Sequence, residues 1–201
     1  MEILDLGAGL GQYSEALSRM GARKVVALEY QKKKVDWIKR NNRGNFETVE
    51  GSASCLPFDE ESFDTVFSHT VFEHLPDVEL ALSEAHRVVR KGGSLVLSFN
   101  YVSHRSGHHL SPFIHFPWPL AILPEPNLCR YWSECVAEAQ ALGGMGFYEK
   151  GASISSLSGG AEIHLNKMNF LDFEKNALEA GWTLFARWSS ERWGRVLPWL
   201  A

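Results

Sequence analysis

The chain has 201 residues, of which 45% are apolar and 22% are charged, and its formal net charge is −4. A chain of this size and apolar content can bury a core, which excludes a disordered protein and predicts a single domain. The negative net charge gives no general attraction to nucleic acid. No apolar stretch approaches the roughly 20 residues that a membrane helix needs, and no signal peptide is visible, so we expect a cytoplasmic protein without a membrane or nucleic-acid partner.

Short apolar strands alternate with amphipathic helices along the chain. This alternation predicts an α/β fold with a parallel sheet that is covered on both faces. The predicted strands span residues 2–6, 24–29, 46–50, 63–68, 94–100 and 182–188, and the predicted helices span 11–20, 31–42, 77–90 and 170–180. Asn169 is suited to cap the last helix. Residues 189–201 contain a glycine and a proline, so we expect no seventh strand there.

The first strand ends in a glycine-rich turn, D-L-G-A-G-L-G, in which Gly7, Gly9 and Gly11 are spaced by two. Glycine lets a ligand approach the backbone, and the start of the next helix directs free N–H groups toward that ligand. A dinucleotide fingerprint would place its third glycine at Gln12, so an NAD-dependent oxidoreductase is disfavoured. Glu29, at the end of the second strand, could accept hydrogen bonds from two ribose hydroxyls. Alternatively, it is a carboxylate that stabilises the start of the following helix.

Three separated motifs resemble the class I S-adenosylmethionine-dependent methyltransferases, in particular their small-molecule, type 11-like members. They are the D-x-G-x-G-x-G turn, the segment G-S-A-S-C-L-P-F-D-E-E-S-F-D-T-V-F-S-H-T-V-F-E-H-L at 51–75, and the segment H-R-V-V-R-K-G-G-S-L-V-L-S-F-N at 86–100, with its K-G-G turn. The resemblance covers residues 2–101, with a weaker echo at 165–188. It implies a Rossmann-like, doubly wound, mostly parallel sheet of order 3-2-1-4-5-(7)-6. It also implies transfer of a methyl group from S-adenosylmethionine to an O, N or C atom of a small molecule, with S-adenosylhomocysteine as the product.

The resemblance further implies cofactor contacts at the carboxyl ends of the strands. Relatives usually have an aspartate where this chain has Ser52, whose hydroxyl would give the adenine amino group a neutral hydrogen bond that is weaker by about 1 kcal/mol. The backbone around Ala53 is expected at the adenine ring, and the carbonyl groups near Ser68 and His69 are expected at the cofactor's amino group. The expected cofactor residues are Asp5, Gly7, Ala8, Gly9, Glu29, Tyr30, Ser52, Ala53, Ser68 and His69.

Histidines supply the candidate bases, because their ordinary pKa suits proton transfer near neutral pH. We rank His74 first, His69 second and His109 third, although an amine or an acidic phenol as acceptor would need no base. Some methyltransferases have an E-x-x-E-H metal site at this point, but Thr70 replaces its first glutamate, so we expect no metal. Glu73 and His74 could equally be a pair at the start of a helix that faces the rim of the cleft.

We predict one methyltransferase domain over residues 1–201, with a cofactor-binding core at 1–101, an insertion at 102–165 and a truncated C-terminal part at 166–201. The insertion is longer than an ordinary connection. Its aromatic and proline residues favour a lid over the substrate, with His115 and Trp118 as contacts, or a docking patch for a protein. Relatives carry one or two helices before the first strand, so we expect a trimmed chain or a partial gene product. A noncatalytic module that binds the same cofactor is the alternative function, and the sequence does not indicate the oligomeric state.

Overall fold

The computed structural model describes residues 1–99, scattered positions between 123 and 134, residues 168–185 and, for the backbone alone, residues 188–190 and 194–200. Its strands are β1 (Glu2–Leu6), β2 (Lys24–Glu29), β3 (Glu47–Glu50), β4 (Phe63–His69), β5 (Val89–Phe99), β6 (Thr183–Leu184), β7 (Trp188–Ser190) and β8 (Gly194–Leu200). Its helices are α1 (Gln12–Arg19), α2 (Lys32–Asn41), α3 (Val78–Val88) and α4 (Phe170–Glu179), with a 3₁₀ turn at Phe72–His74. None of the helices in these ranges is long and apolar enough to cross a membrane.

The described strands form one sheet in the order β3-β2-β1-β4-β5-β8-β6, and β7 pairs with β8. Strands β1 to β5 are parallel, which confirms the predicted order 3-2-1-4-5. β8 runs antiparallel to β5, so the prediction of no strand within 189–201 is wrong. Pro198 of β8 pairs in register with Val96 of β5, whereas β6 and β7 pair with other residues of β8.

Strand β5 begins at Val89, before the K-G-G segment that was predicted to be a turn between a helix and a strand. The register with β4 passes from Phe63 opposite Val89 to Thr65 opposite Ser94, so the segment forms a bulge inside the strand. A Cβ at Gly93 would lie 2.6 Å from a backbone oxygen, and therefore no larger residue fits there without a shift. The glycines allow the strand to continue through this irregularity.

The helices end within two residues of their predicted limits. The cap of α4 is confirmed: the side-chain oxygen of Asn169 accepts hydrogen bonds from the N–H groups of Leu171 at 2.8 Å and Asp172 at 3.0 Å. Of the predicted strand at 182–188, the described residues Thr183–Leu184 pair with β8 as β6, and Trp188 begins β7.

A buried apolar cluster lies on one face of the sheet. It joins Leu4 and Leu6 of β1 to residues of α3 and α4, including Phe173. Trp182, after α4, is fully buried and donates its indole N–H to the Leu82 carbonyl at 3.0 Å. Because alternate residues of a strand face opposite sides, Asp5 faces away from this cluster. Its hydrogen bond to α1 shows that α1 covers the other face.

Candidate functional site

The carboxyl ends of β1, β2 and β4 lie side by side, because these strands are parallel neighbours. The turn after β1 folds back on β2, and the N–H groups of Gly7 and Ala8 both donate to the Leu28 carbonyl at 2.9 Å. Gly7, Gly9 and Gly11 have φ angles of 78°, 59° and 78°. Glycine adopts this left-handed region without strain. The glycine spacing in the sequence therefore specifies the shape of the turn.

The three glycines are needed for different reasons. A Cβ at Gly7 would collide with the side chain of Val71, and one at Gly11 would lie 3.2 Å from the ring of Phe46. A Cβ at Gly9 would meet no atom within 4 Å. Gly7 and Gly11 thus permit close packing, whereas Gly9 borders open space in which a ligand can reach the backbone.

The carboxylate of Glu29 connects the glycine turn to the start of α2. Glu29 is only 3% exposed. Its Oε2 accepts from the N–H of Gly9 at 2.9 Å, and its Oε1 accepts from the N–H of Gln31 at 3.0 Å. Glu29 therefore has the role at the start of the helix that the alternative interpretation gave it. Each carboxylate oxygen keeps a further lone pair, so the same group can still accept a hydrogen bond from a ligand.

Asp5 lies beneath the glycine turn rather than beside the open space. It is 2% exposed, and its Oδ2 accepts a hydrogen bond from the hydroxyl of Ser14 at 2.5 Å. Burial raises the pKa of Asp5 to about 6; the hydrogen bonds from Ser14 oppose this rise, and the charge of Glu29 adds to it. Asp5 thus holds the first turn of α1 against β1. Its direct contact with a cofactor stays a prediction.

The residues predicted for the adenosine side lie after β2 and β3. Tyr30 is 66% exposed. Ser52 is also exposed, and its hydroxyl oxygen accepts from the N–H of Ser54 at 3.2 Å, whereas Ala53 is buried. The Ser52 hydroxyl is therefore oriented by its own loop, and its proton and second lone pair are available to a ligand.

The end of β4 carries the two residues that were predicted at the cofactor's amino group. Ser68 is fully buried and donates its hydroxyl to the Leu6 carbonyl at 3.0 Å. His69 is partly buried, and its ring packs against Tyr13. Burial lowers the pKa of His69, and the carboxylate of Glu73 opposes this change. This lowering favours the neutral imidazole, which is the form that can accept a proton.

The other predicted catalytic and substrate residues are less well grouped. His74 is exposed in the 3₁₀ turn, but Glu73 is 1% exposed, so the two do not form a pair that faces the rim of the cleft. Within the described ranges, no group of three or more His, Cys, Asp or Glu residues could hold a metal ion. His109, His115 and Trp118 lie outside the described residues.

Sequence reasoning missed two side chains at this edge of the sheet. Ser14 holds Asp5, and the ring of Tyr13 covers Phe67 and His69. The sequence position of both residues could have indicated this role, because both lie in the first turn of the helix that follows a glycine loop. Side chains of that turn can reach the ends of the neighbouring strands.

A separate, open cavity of about 490 Å³ lies near the amino ends of β4 and β5. It is lined by Glu60, Glu61, Ser83, His86, Arg87, Val89, Lys91, Glu179 and Ala180. None of these residues belongs to the glycine turn or to the carboxyl ends of the strands. The cavity is therefore distinct from the candidate site.

Comparison with known proteins assigns the residues that build this edge of the sheet to a protein family. Residues 4–97 match a family described as a methyltransferase domain, and this segment contains the glycine turn, Glu29 and the end of β4. Residues 4–97 therefore belong to this methyltransferase domain family. The resemblance inferred from the three motifs is thus confirmed.

Two curated relatives are also methyltransferases. The demethylmenaquinone methyltransferase of Thermobifida fusca is 37% identical over 144 residues, which cover 67% of this chain and 61% of that protein. The sarcosine/dimethylglycine N-methyltransferase of Halorhodospira halochloris is 33% identical over 101 residues, which cover 48% of this chain and 36% of that protein. The chain therefore matches only part of the length of each relative.

A solved structure extends the likeness to the whole chain. The S-adenosylmethionine-dependent methyltransferase from Mesorhizobium loti has a TM-score of 0.67, covering 100% of this chain and 90% of that chain. The sequence identity is 13%, so this comparison concerns the fold alone.

Proposed function

We propose that the chain binds S-adenosylmethionine at the carboxyl ends of β1, β2 and β4 and transfers its methyl group to an O, N or C atom of a small molecule, leaving S-adenosylhomocysteine. The observation that carries this proposal is the open space beside Gly9, next to the buried carboxylate of Glu29. The two relatives described above, whose names refer to small-molecule substrates, support the same reaction class.

The groups at this edge fit the parts of the cofactor. Glu29 keeps lone pairs that suit the two ribose hydroxyls. We assign the adenine ring to the loop of Ser52 and Ala53, and the amino group to the backbone carbonyls near Ser68 and His69. When bound, the cofactor supplies an electrophilic methyl group on a sulfonium.

The chain itself must align the acceptor and, for some acceptors, remove a proton. Alignment of the reacting groups is the larger contribution, and a general base adds about 10² to 10⁴-fold. Two observations support His69 ahead of His74 as that base. His69 lies at the end of β4, where we assign the amino group of the cofactor, and burial lowers its pKa, which favours the neutral imidazole. His74, in contrast, is exposed.

Calorimetric titration with S-adenosylmethionine, S-adenosylhomocysteine and NAD tests the proposed binding. We expect both sulfur nucleotides to bind and NAD not to bind. Gly9→Leu should abolish binding because its side chain occupies the open space. Gly21→Leu is the matched control, because Gly21 also has a positive φ, 93°, and no atom within 4 Å of a built Cβ, but it follows α1 at the other end of the helix.

The two variants bear a similar backbone strain of about 1–2 kcal/mol. The difference between their affinities for the sulfur nucleotides therefore reports on the open space beside Gly9. Unchanged affinity in Gly9→Leu would contradict the assignment of the glycine turn. A screen of small-molecule acceptors then separates the two functions that remain. Tight binding of S-adenosylhomocysteine without turnover on any acceptor would favour a noncatalytic binding module.

A further inference from the structure

Tyr13 covers the end of β4 at the proposed site. It lies in the first turn of α1 and is 42% exposed, although its ring is large and mostly apolar. The ring centroid lies 5.3 Å from that of Phe67, at an interplanar angle of 46°, and 4.7 Å from that of His69, at 55°. Phe67 and His69 are two residues apart in a strand and therefore face the same side.

We propose that Tyr13 is a positioning residue that holds the imidazole of His69 in one orientation beside the methyl donor. This inference rests on the proposed function, because it gives Tyr13 a part in the same transfer. Tyr13 acts through His69 and is not itself a catalytic residue.

The backbone of Tyr13 is fixed on both sides. The hydroxyl of Ser14 donates to Asp5, which ties the first turn of α1 to β1. The N–H of Glu15 donates to the Gly11 carbonyl at 2.9 Å, which closes that turn. Tyr13 therefore presents its ring to β4 from a rigid support.

The backbone of His69 is fixed as well, but its ring is not. The N–H of Thr70, which has a φ of 53°, donates to the Ser98 carbonyl at 2.7 Å and holds the end of β4 against β5. Within the described part of the chain, no hydrogen bond holds the imidazole. Its direction is set by contact with Tyr13, and tilted rings at this separation form a favourable aromatic pair.

Two carboxyl groups matter for a test that varies the pH. Glu73, in the 3₁₀ turn, favours the charged imidazolium of His69. Asp5, which pairs with Phe67 across the strands β1 and β4, has a pKa of about 6. Because Asp5 titrates in the same range as a histidine, a pH profile of activity alone would not separate the two groups. The test must observe the imidazole of His69 itself.

NMR of the full chain with ¹³C-labelled histidine provides this observation, both free and with S-adenosylhomocysteine. His69→Asn assigns the resonance of the His69 ring. In Tyr13→Leu, we expect that resonance to shift and the pKa of His69 to rise toward its ordinary value of about 6.5, because water reaches the ring. Tyr13→Phe keeps the aromatic ring and should restore both. Phe185→Leu is the matched control, since Phe185 is an aromatic residue that is 71% exposed and lies outside the site.

Single-turnover kinetics with an acceptor found by the screen give a second readout. Tyr13→Leu should lower the methyl-transfer rate by about 10- to 100-fold, because a small misplacement of a reacting group has an effect of this size. The KM for S-adenosylmethionine should not change, and Tyr13→Phe should recover the rate.

An unchanged His69 resonance and pKa in Tyr13→Leu would overturn the inference. Equal transfer rates in Tyr13→Leu and the wild type would overturn it too. Failure of the wild-type chain to bind S-adenosylhomocysteine would instead overturn the proposed function. In that case the NMR of the free protein still decides whether Tyr13 orients His69.

Discussion

The buried carboxyl group of Asp5 should make the protein less stable as the pH rises, and Asp5→Asn should remove this effect. Asp5 is 2% exposed, and the bond from Ser14 does not offset the loss of water around its charge. Asparagine cannot ionise, but its carbonyl oxygen can accept the same hydrogen bond from Ser14. The substitution therefore removes the charge and leaves the local packing almost unchanged.

The magnitude follows from the pKa of Asp5, which burial raises from its ordinary 3.8 to about 6. The native state then holds the proton more tightly than the unfolded chain does. The free energy of unfolding therefore falls as the pH rises through this interval, and one pH unit corresponds to about 1.4 kcal/mol. The full effect is about 3 kcal/mol, present above the native pKa and absent below the unfolded one. We expect Asp5→Asn to be more stable than the wild type by about 1–3 kcal/mol near neutral pH.

Urea unfolding of both proteins between about pH 4 and pH 8 measures this difference. The stability advantage of Asp5→Asn should be near zero at the acidic end, grow toward about pH 6 and then level off. Other titrating groups are common to both proteins and cancel in the comparison. A variant that is less stable than the wild type by the same amount at every pH would refute the reasoning, because the native carboxylate would then be well stabilised.

Three further substitutions test the packing, each by urea unfolding. Gly7→Ala should lower the free energy of unfolding by about 2–4 kcal/mol, because its Cβ collides with Val71 at a positive φ. Adding Val71→Ala should restore part of this loss, and no recovery would contradict the proposed collision. Trp182→Phe should cost about 1–3 kcal/mol, because it removes the buried hydrogen bond from the indole N–H to the Leu82 carbonyl and part of a fully buried ring; wild-type stability would show that the bond contributes little. Asn169→Ala should cost about 1 kcal/mol through loss of the α4 cap, whereas Asn169→Asp should not.

The positions of the first five strands could be predicted from the alternation of short strands and helices, and their order from the resemblance to the methyltransferase family. Each strand from β1 to β5 is separated from the next by a helix or a turn, and apolar runs mark β1 and β2. Strand β8 could not be predicted, because Gly194 and Pro198 make its segment a poor strand when it is considered alone. Its pairing with β5 depends on residues about a hundred positions earlier, and this contact leaves no local pattern in the sequence.

The candidate site could likewise be predicted only in part. Gly7, Gly9 and Glu29 were predictable because a tight turn and a carboxylate at the end of a strand have recognisable positions in a sequence. The roles of Tyr13 and Val71 depend instead on contacts between elements that are far apart in the chain. Glu73 and His74 show a further difficulty, because neighbours in the sequence differ completely in their exposure to solvent.

The place of β8 inside the sheet has a consequence for biosynthesis. Because β8 lies between β5 and β6, the edge of β5 has no partner until residues 194–200 have been translated. Domains begin to fold from the N-terminal side during synthesis, and an unpaired strand edge can associate with other chains. The nascent chain thus completes β1 to β5 early but carries an unprotected edge of β5 until residues 194–200 have left the ribosome.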